Sequence, residues 1–161
     1  MQRLVQKRRK LGLTNYPKRL KLLKSGLPRL IVRPTNRGIV IEIAEFDPIG
    51  DKILLTVTEK NLAKIDSALD GNTVPICYLT GYLAGLKAKK LKLKEAVLDT
   101  GRYNIIKGGR IAAALKGFTD SGIKVPHDKS IFPDKKRLDG THLKKKLPDT
   151  LQNLKAKLEA N

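Results

Sequence analysis

The chain has 161 residues, enough for one domain with terminal extensions, and about 40% of them are hydrophobic, enough for a modest core. Lys and Arg number 34 against 15 Asp and Glu, a formal net charge of +19, and such an excess repels itself unless a polyanion lies nearby. Nucleic acid is therefore the expected partner; an anionic membrane is disfavoured because Trp is absent, aromatics make up only 4% and no apolar run reaches spanning length.

The first acidic residue is Glu42, and twelve Lys or Arg precede it. Residues 1–27 therefore read as a basic arm that orders on a partner. Within it, Tyr16 to Lys24 has helical character: Pro17 suits a first turn, Leu20 and Leu23 share one side, and Ser25-Gly26 stops the helix. A core over residues 28–123 follows. Leu30 to Arg33 is a short β-branched strand, and Thr35-Asn36-Arg37-Gly38 is a turn. Gly38 to Phe46 is a long strand with Ile39, Ile41 and Ile43 on one face. Asp47 to Asp51 turns the chain into a third strand, Lys52 to Thr58, giving an antiparallel meander.

The period then changes. Thr58 is expected to cap a helix reaching Leu69, with Leu62, Ile65 and Leu69 inward. Pro75 opens a longer helix to about Leu91, whose Gly81, Gly85, Ala84 and Ala88 make a small-residue face suited to close approach against a sheet. Glu95 to Asp99 is a short strand, and a helix lying between strands suggests a parallel crossover. Gly108-Gly109 opens a helix from Arg110 to Ser121, with Ile111, Ala114, Leu115 and Phe118 on its apolar face. The expected class is α/β: a compact mixed sheet packed by helices, with a basic N-terminal arm and a C-terminal tail. That tail, 124–161, is basic, and Pro148 starts a terminal helix with Leu151, Leu154 and Leu158 on a narrow stripe.

The inventory for catalysis is poor. His127 and His142 stand fifteen residues apart in a polar tail, and the single cysteine, Cys77, lies inside an apolar helix. No His/Cys set has metal-ligand spacing, and neither a nucleophile elbow nor a phosphate-binding glycine loop of Walker type is present. Asp99 ends a strand, where α/β enzymes often keep a carboxylate, but with no second carboxylate or base evident a loop-organising hydrogen bond fits better. The expectation is no enzyme, no cofactor, no small-molecule substrate and no metal. A lone cysteine suits a reducing compartment, and no signal-type apolar stretch follows the basic start, so the expected location is cytoplasmic.

Lys107-Gly108-Gly109-Arg110 is more informative. Paired glycines before a helix let backbone N–H groups approach an anion, and two cations flank them. Tyr16 and Tyr103 are the available stacking residues. So few aromatics favour a structured RNA, recognised by shape and backbone, over reading of unpaired bases.

Several segments carry a resemblance. Pro28-Arg29-Leu30-Ile31-Val32-Arg33-Pro34-Thr35-Asn36-Arg37 resembles the strand and turn of the universal ribosomal protein L-eighteen family. Leu98-Asp99-Thr100-Gly101-Arg102-Tyr103, with Gly109-Arg110 after it, is similar to that family's Asp-x-Gly loop and Gly-Arg helix start. The run Tyr16 to Gly26, Tyr78-Leu79-Thr80-Gly81 and Ile131-Phe132-Pro133-Asp134 resemble the archaeal and eukaryotic branch. Gly38 departs from the pattern, which often has His there.

The resemblance implies a structural constituent of the large ribosomal subunit. It implies binding to 5S rRNA in the central protuberance, beside 23S rRNA, a ribosomal protein of the L-five family and other central-protuberance proteins. The expected RNA-binding set begins in the arm with Arg3, Lys7, Arg8, Arg9, Lys10, Thr14, Asn15, Tyr16, Arg19 and Lys21. The first strand and turn add Arg29, Arg33, Thr35, Asn36 and Arg37. The loop and helix start add Arg102, Tyr103, Lys107, Gly109 and Arg110. The alternatives are another basic RNA- or DNA-binding protein, or an RNA-modifying enzyme. A DNA reader would want a recognition helix, and a modifying enzyme a cofactor loop; neither is evident.

Overall fold

The computed structural model describes residues 5–67, 69–141, 143 and 149–160. Two short helices, α1 (Lys7–Lys10) and α2 (Tyr16–Leu23), precede the expected meander of β1 (Arg29–Pro34), β2 (Ile39–Glu45) and β3 (Lys52–Thr58). The chain continues through α3 (Glu59–Ala63) and α4 (Val74–Lys90) to β4 (Val97–Asp99), then α5 (Arg110–Asp120), α6 (Lys135–Leu138) and α7 (Leu151–Ala160). The sheet order is β3-β2-β1-β4. β1 pairs antiparallel with β2, and β4 returns by the α3–α4 crossover to pair parallel with β1. The fold is mixed α/β, as its alternating then helical periods predict.

Leu30, Val32, Ile39, Ile41, Ile43 and Val57 are buried and join one core with the helices. α4 packs over β2 and β3, and α5 over β1. Every residue from Val74 to Gly85 is buried, so α4 has no polar face until its lysine-rich last turn.

The small-residue face of α4 has a different partner from the one expected. It lies against α5, not the sheet. A Cβ on Gly81 would stand 2.0 Å from the carbonyl oxygen of Ala114, and one on Gly117 would stand 2.0 Å from that of Tyr78. The two helix backbones touch because both sides lack side chains there.

The helix expected to reach Leu69 also stops early, at Ala63. Thr58 N–H donates to Asn61 Oδ1 at 2.8 Å and starts it. Beyond it, Ile65 and Asp66 N–H both donate to Leu62 O. Asp and Ser at 66–67 compete for backbone groups and disfavour continuation. Leu62 and Leu69 still reach the core, so burial is met by a turn instead of a second helical repeat.

Residues after 124 also reach the core. Val125, Leu138, Leu154 and Leu158 belong to the core cluster. Leu154 and Leu158 dock α7 on α4, where Lys155 Nζ lies 5.0 and 5.1 Å from the ring centres of Tyr78 and Tyr82. Tyr82 Oη donates to Glu159, and Tyr78 Oη to Asp120 at 2.7 Å. Burial and the adjacent carboxylates push the Tyr82 phenol up to about 12. Pro148, expected to open this helix, lies outside the described residues.

Gly38 is explained by Glu59. The buried Glu59 carboxylate accepts from Ile39 N–H at 3.1 Å, and a Cβ on Gly38 would stand 2.1 Å from its Cδ. Gly38→Ala is expected to expel that carboxylate and orphan a buried N–H, at a cost of about 1–3 kcal/mol in chemical denaturation. Glu59→Gln, which keeps an acceptor, should cost less.

Candidate nucleic-acid interface

The sheet face away from α4 carries Arg29, Ile31 and Arg33 of β1, because residues alternate along a strand. The N-terminal arm folds onto this face. Asn15 caps α2, its Oδ1 accepting from Lys18 N–H at 3.1 Å. α2 then sends Lys18 and Arg19 to the sheet. Lys18 Nζ donates to Thr100 Oγ1 at 3.1 Å and to Gly101 O at 2.9 Å, in the loop after β4. Arg19 Nη2 donates to both oxygens of Asp51, at 2.9 and 2.8 Å. Further upstream, Arg8 Nε donates to Thr14 Oγ1 at 2.9 Å. Gly12, at φ +67°, bends the chain so that its backbone lies against the Arg102 guanidinium. A Cβ there would be strained by that φ and would meet Nη1 at 2.6 Å.

These contacts close a cleft between arm, β1 and the loop after β4. Arg8, Lys18, Arg19, Arg33 and Arg102 line it, with Tyr103 at its edge. Tyr103 also borders a second groove, shared with Thr35, Asn36, Gly109 and Arg110. The arm, the β1–β2 turn, the loop after β4 and the start of α5 thus line two grooves that share Tyr103 and are rich in cations, with Asp51 and Asp99 as the carboxylates of the first. Tyr103 is 49% exposed where they meet, available for stacking.

Lys7, Arg9, Lys10 and Lys21 are exposed along the arm, Tyr16 is half-buried at the start of α2, and Arg37 and Lys107 are exposed beside the grooves. Arg3 and His142 lie outside the described residues. No residue of α1 is buried, and four successive cations repel one another in its single turn. Amides of residues 7–11 are therefore expected to exchange quickly in the free protein and slowly with RNA bound. Equal protection in both states would contradict a partner-ordered arm.

Two residues of the expected set have partners within the fold. Arg29 is 2% exposed. Its Nη1 donates to Asp99 Oδ2 at 3.0 Å and its Nη2 lies 2.5 Å from Asp51 Oδ2. Held by two carboxylates, Arg29 ties β1 to the β2–β3 hairpin and to β4. Gly109 is the second. The positive φ belongs to Gly108, at +66°, and Gly109 is extended in φ at −81°. Gly108 N–H donates to Ile131 O and Gly109 N–H to Ile106 O, both at 2.9 Å. Neither amide is offered to an anion. The cations at this helix start remain, although Arg110 Nη1 donates to Thr35 O at 2.8 Å and so also braces the β1–β2 turn.

The sequence reading left Asp51 and Lys18 out of the site. Both act across a long separation in the chain, and no local pattern marks them. Asp51 is a carboxylate near Asp99, sharing Arg29 with it. Burial pushes the Asp51 carboxyl up, but hydrogen bonds from and the charges of Arg29 and Arg19 outweigh this and hold it below the ordinary carboxylate range. Asp99 Oδ1 accepts from Gly101 N–H at 2.8 Å, the loop-organising bond expected of it.

Cys77 is buried, and that burial pushes its thiol up to about 12, far from a reactive thiolate. His127 is tied by Nδ1 to Val125 O and packs on Phe132. Among the described residues no group of His, Cys, Asp and Glu could hold a metal ion, and no helix is long and apolar enough to cross a membrane.

Fold and surface together define a basic α/β protein that offers a polyanion one cationic face, built from an arm, a sheet and a helix start. Residues 2–96 match the family model described as ribosomal large subunit proteins 60S L5 and 50S L18, and the chain belongs to that family. It is 54% identical over 154 residues to the large ribosomal subunit protein uL18 of Thermoplasma acidophilum, covering 94% of each chain. It is 55% identical over 155 residues to that of Thermoplasma volcanium, covering 95% of this chain and 96% of the relative. For Picrophilus torridus the figure is 44% over 154 residues, 96% of each. These relatives place it in the archaeal branch, as a ribosomal protein with a general RNA-binding role in translation. A family of ribosomal large-subunit proteins is also what supports the non-enzymatic reading.

Proposed function

We propose that this chain binds 5S rRNA and helps attach it to the central protuberance of the large subunit, next to 23S rRNA and a ribosomal protein of the L-five family. The observation that carries this reading is the shared cleft: Lys18, Arg19, Arg33 and Arg102 converge from three separate parts of the chain on one face with Tyr103, and Arg8 of the arm joins them. Cations held by a fixed fold select a backbone shape, whereas a disordered basic tail neutralises any polyanion. The arm follows the phosphate backbone. Arg33, Asn36 and Arg37 reach from the β1–β2 turn, and Arg102, Lys107 and Arg110 contact phosphate from the loop and the α5 start. A role within the ribosome implies a cytoplasmic location.

Binding of purified protein to 5S rRNA and to a scrambled RNA of equal length and charge tests the reading. A preference for 5S rRNA of at least about tenfold, or about 1.4 kcal/mol, is expected at moderate salt. Equal affinity for both would leave only non-specific polyanion binding. Protein expressed in cells should also sediment with large subunits that carry 5S rRNA.

A further inference from the structure

The β2–β3 hairpin breaks both regularities of this molecule: it is acidic where the chain is basic, and apolar where the surface is polar. From residue 38 to 58 there are four carboxylates, Glu42, Glu45, Asp47 and Asp51, against one cation, Lys52. Asp51 is engaged by Arg19 and Arg29, but Glu45 and Asp47 are exposed at the tip. Between and beside them stand Phe46 at 58%, Ile49 at 100% and Ile53 at 47% exposure. Ile49 is not a loose loop residue. Its N–H donates to Asp47 Oδ1 at 2.9 Å, and this turn holds the side chain outward. β3 is an edge strand, so no further strand of the sheet covers it.

An RNA backbone is a poor occupant here. Its phosphates would face Glu45 and Asp47, and it offers nothing apolar to Ile49. Exposed apolar side chains grouped with like charges fit a protein of the opposite sign. We infer that the β2–β3 hairpin tip is a protein-docking surface for a basic partner chain. The partner packs an apolar side chain on Phe46 and Ile49 and sets Lys or Arg against Glu45 and Asp47. The molecule then has two functional faces, a cationic one for RNA and this acidic-apolar one for protein. The inference rests on the ribosomal reading above, because the partner is sought in the assembled subunit.

The test uses large subunits reconstituted with full-length chain carrying a photoreactive benzophenone residue in place of Ile49, with the same group in place of Arg33 as the RNA control. The expected product from position 49 is a cross-link to a peptide of another protein in which Lys or Arg flanks apolar residues. Its yield should fall severalfold when Glu45→Lys and Asp47→Lys are added. In parallel, Phe46→Ser with Ile49→Ser should leave affinity for 5S rRNA within about twofold, because neither side chain lines the cationic cleft, whose hairpin contribution is Asp51. Cross-linking of position 49 to RNA, to an acidic protein, to a second copy of this chain, or to nothing would overturn the inference. So would loss of RNA affinity in the Phe46 and Ile49 variant. Failure of the chain to enter large subunits would overturn the ribosomal reading as well; entry, with RNA cross-linked from both positions, would overturn this inference alone.

Discussion

Arg29→Ala is expected to remove about 3–5 kcal/mol of stability, because it leaves two partly buried carboxylates without their shared cation. Domains of this kind have about 5–15 kcal/mol in total, so the variant should be close to unfolding at growth temperature. The geometry supports the large figure. Arg29 is 2% exposed and bridges Asp51 of the hairpin and Asp99 of β4, so three strands lose one tie together. Arg33→Ala is the control: it sits on the same strand, exposed, and should change stability by less than about 0.5 kcal/mol. The network also has a pH signature. Asp51 is held below its ordinary range when folded, so its stabilising effect is complete above the unfolded carboxyl value, about 3.9, and is lost as pH falls through the lower folded value. The stability difference between wild type and Asp51→Asn should therefore shrink below about pH 4. Urea unfolding across a pH series reads both effects. A stable Arg29→Ala protein with weakened RNA affinity would return Arg29 to the RNA surface.

Arg33→Ala and Arg102→Ala are each expected to weaken 5S rRNA binding by about one to two powers of ten, since a charge-assisted hydrogen bond is worth about 1.5–3 kcal/mol. Neither should alter the thermal midpoint by much. Arg33 and Arg102 both line the cleft, one on the strand and one on the loop after β4, and both are exposed. Arg110→Ala differs. Its Nη1 bonds Thr35 O, so this change should cost about 1 kcal/mol of stability in addition to RNA affinity. Combining Arg33→Ala with Arg102→Ala separates a shared site from two independent ones. If both side chains hold one stretch of RNA, the double loss falls short of the sum of the single losses. Wild-type affinity in the folded single variants would remove the cleft from the interface.

Local patterns carried much of the fold in the sequence. The alternation of Ile39, Ile41 and Ile43, the Thr35–Gly38 turn and the proline at the head of α4 each act within a few residues, and each is realised. Long-range relations were not legible. Gly81 and Gly85 announce close approach, but which element approaches depends on the registry of α4 on α5. The exposed-looking cation Arg29 is buried because Asp51 and Asp99, 22 and 70 positions away in the chain, converge on it. Gly108-Gly109 shows the same limit: the pair reads as an anion cradle until Ile131 O and Ile106 O are seen to take both amides. Charge in the arm was visible; that Lys18 and Gly12 fold it onto the Thr100–Tyr103 loop was not.

The most direct measurement is the dissociation constant of the purified full-length chain for 5S rRNA across a salt series. Each cation placed on a phosphate contributes about 0.7–0.9 to the slope of log affinity against log salt. With at least five cations gathered on one face, the slope should be about −4 or steeper, and Arg33→Ala should flatten it by about one contact. A slope near −1, unchanged in Arg33→Ala, would contradict the claim that this surface holds RNA.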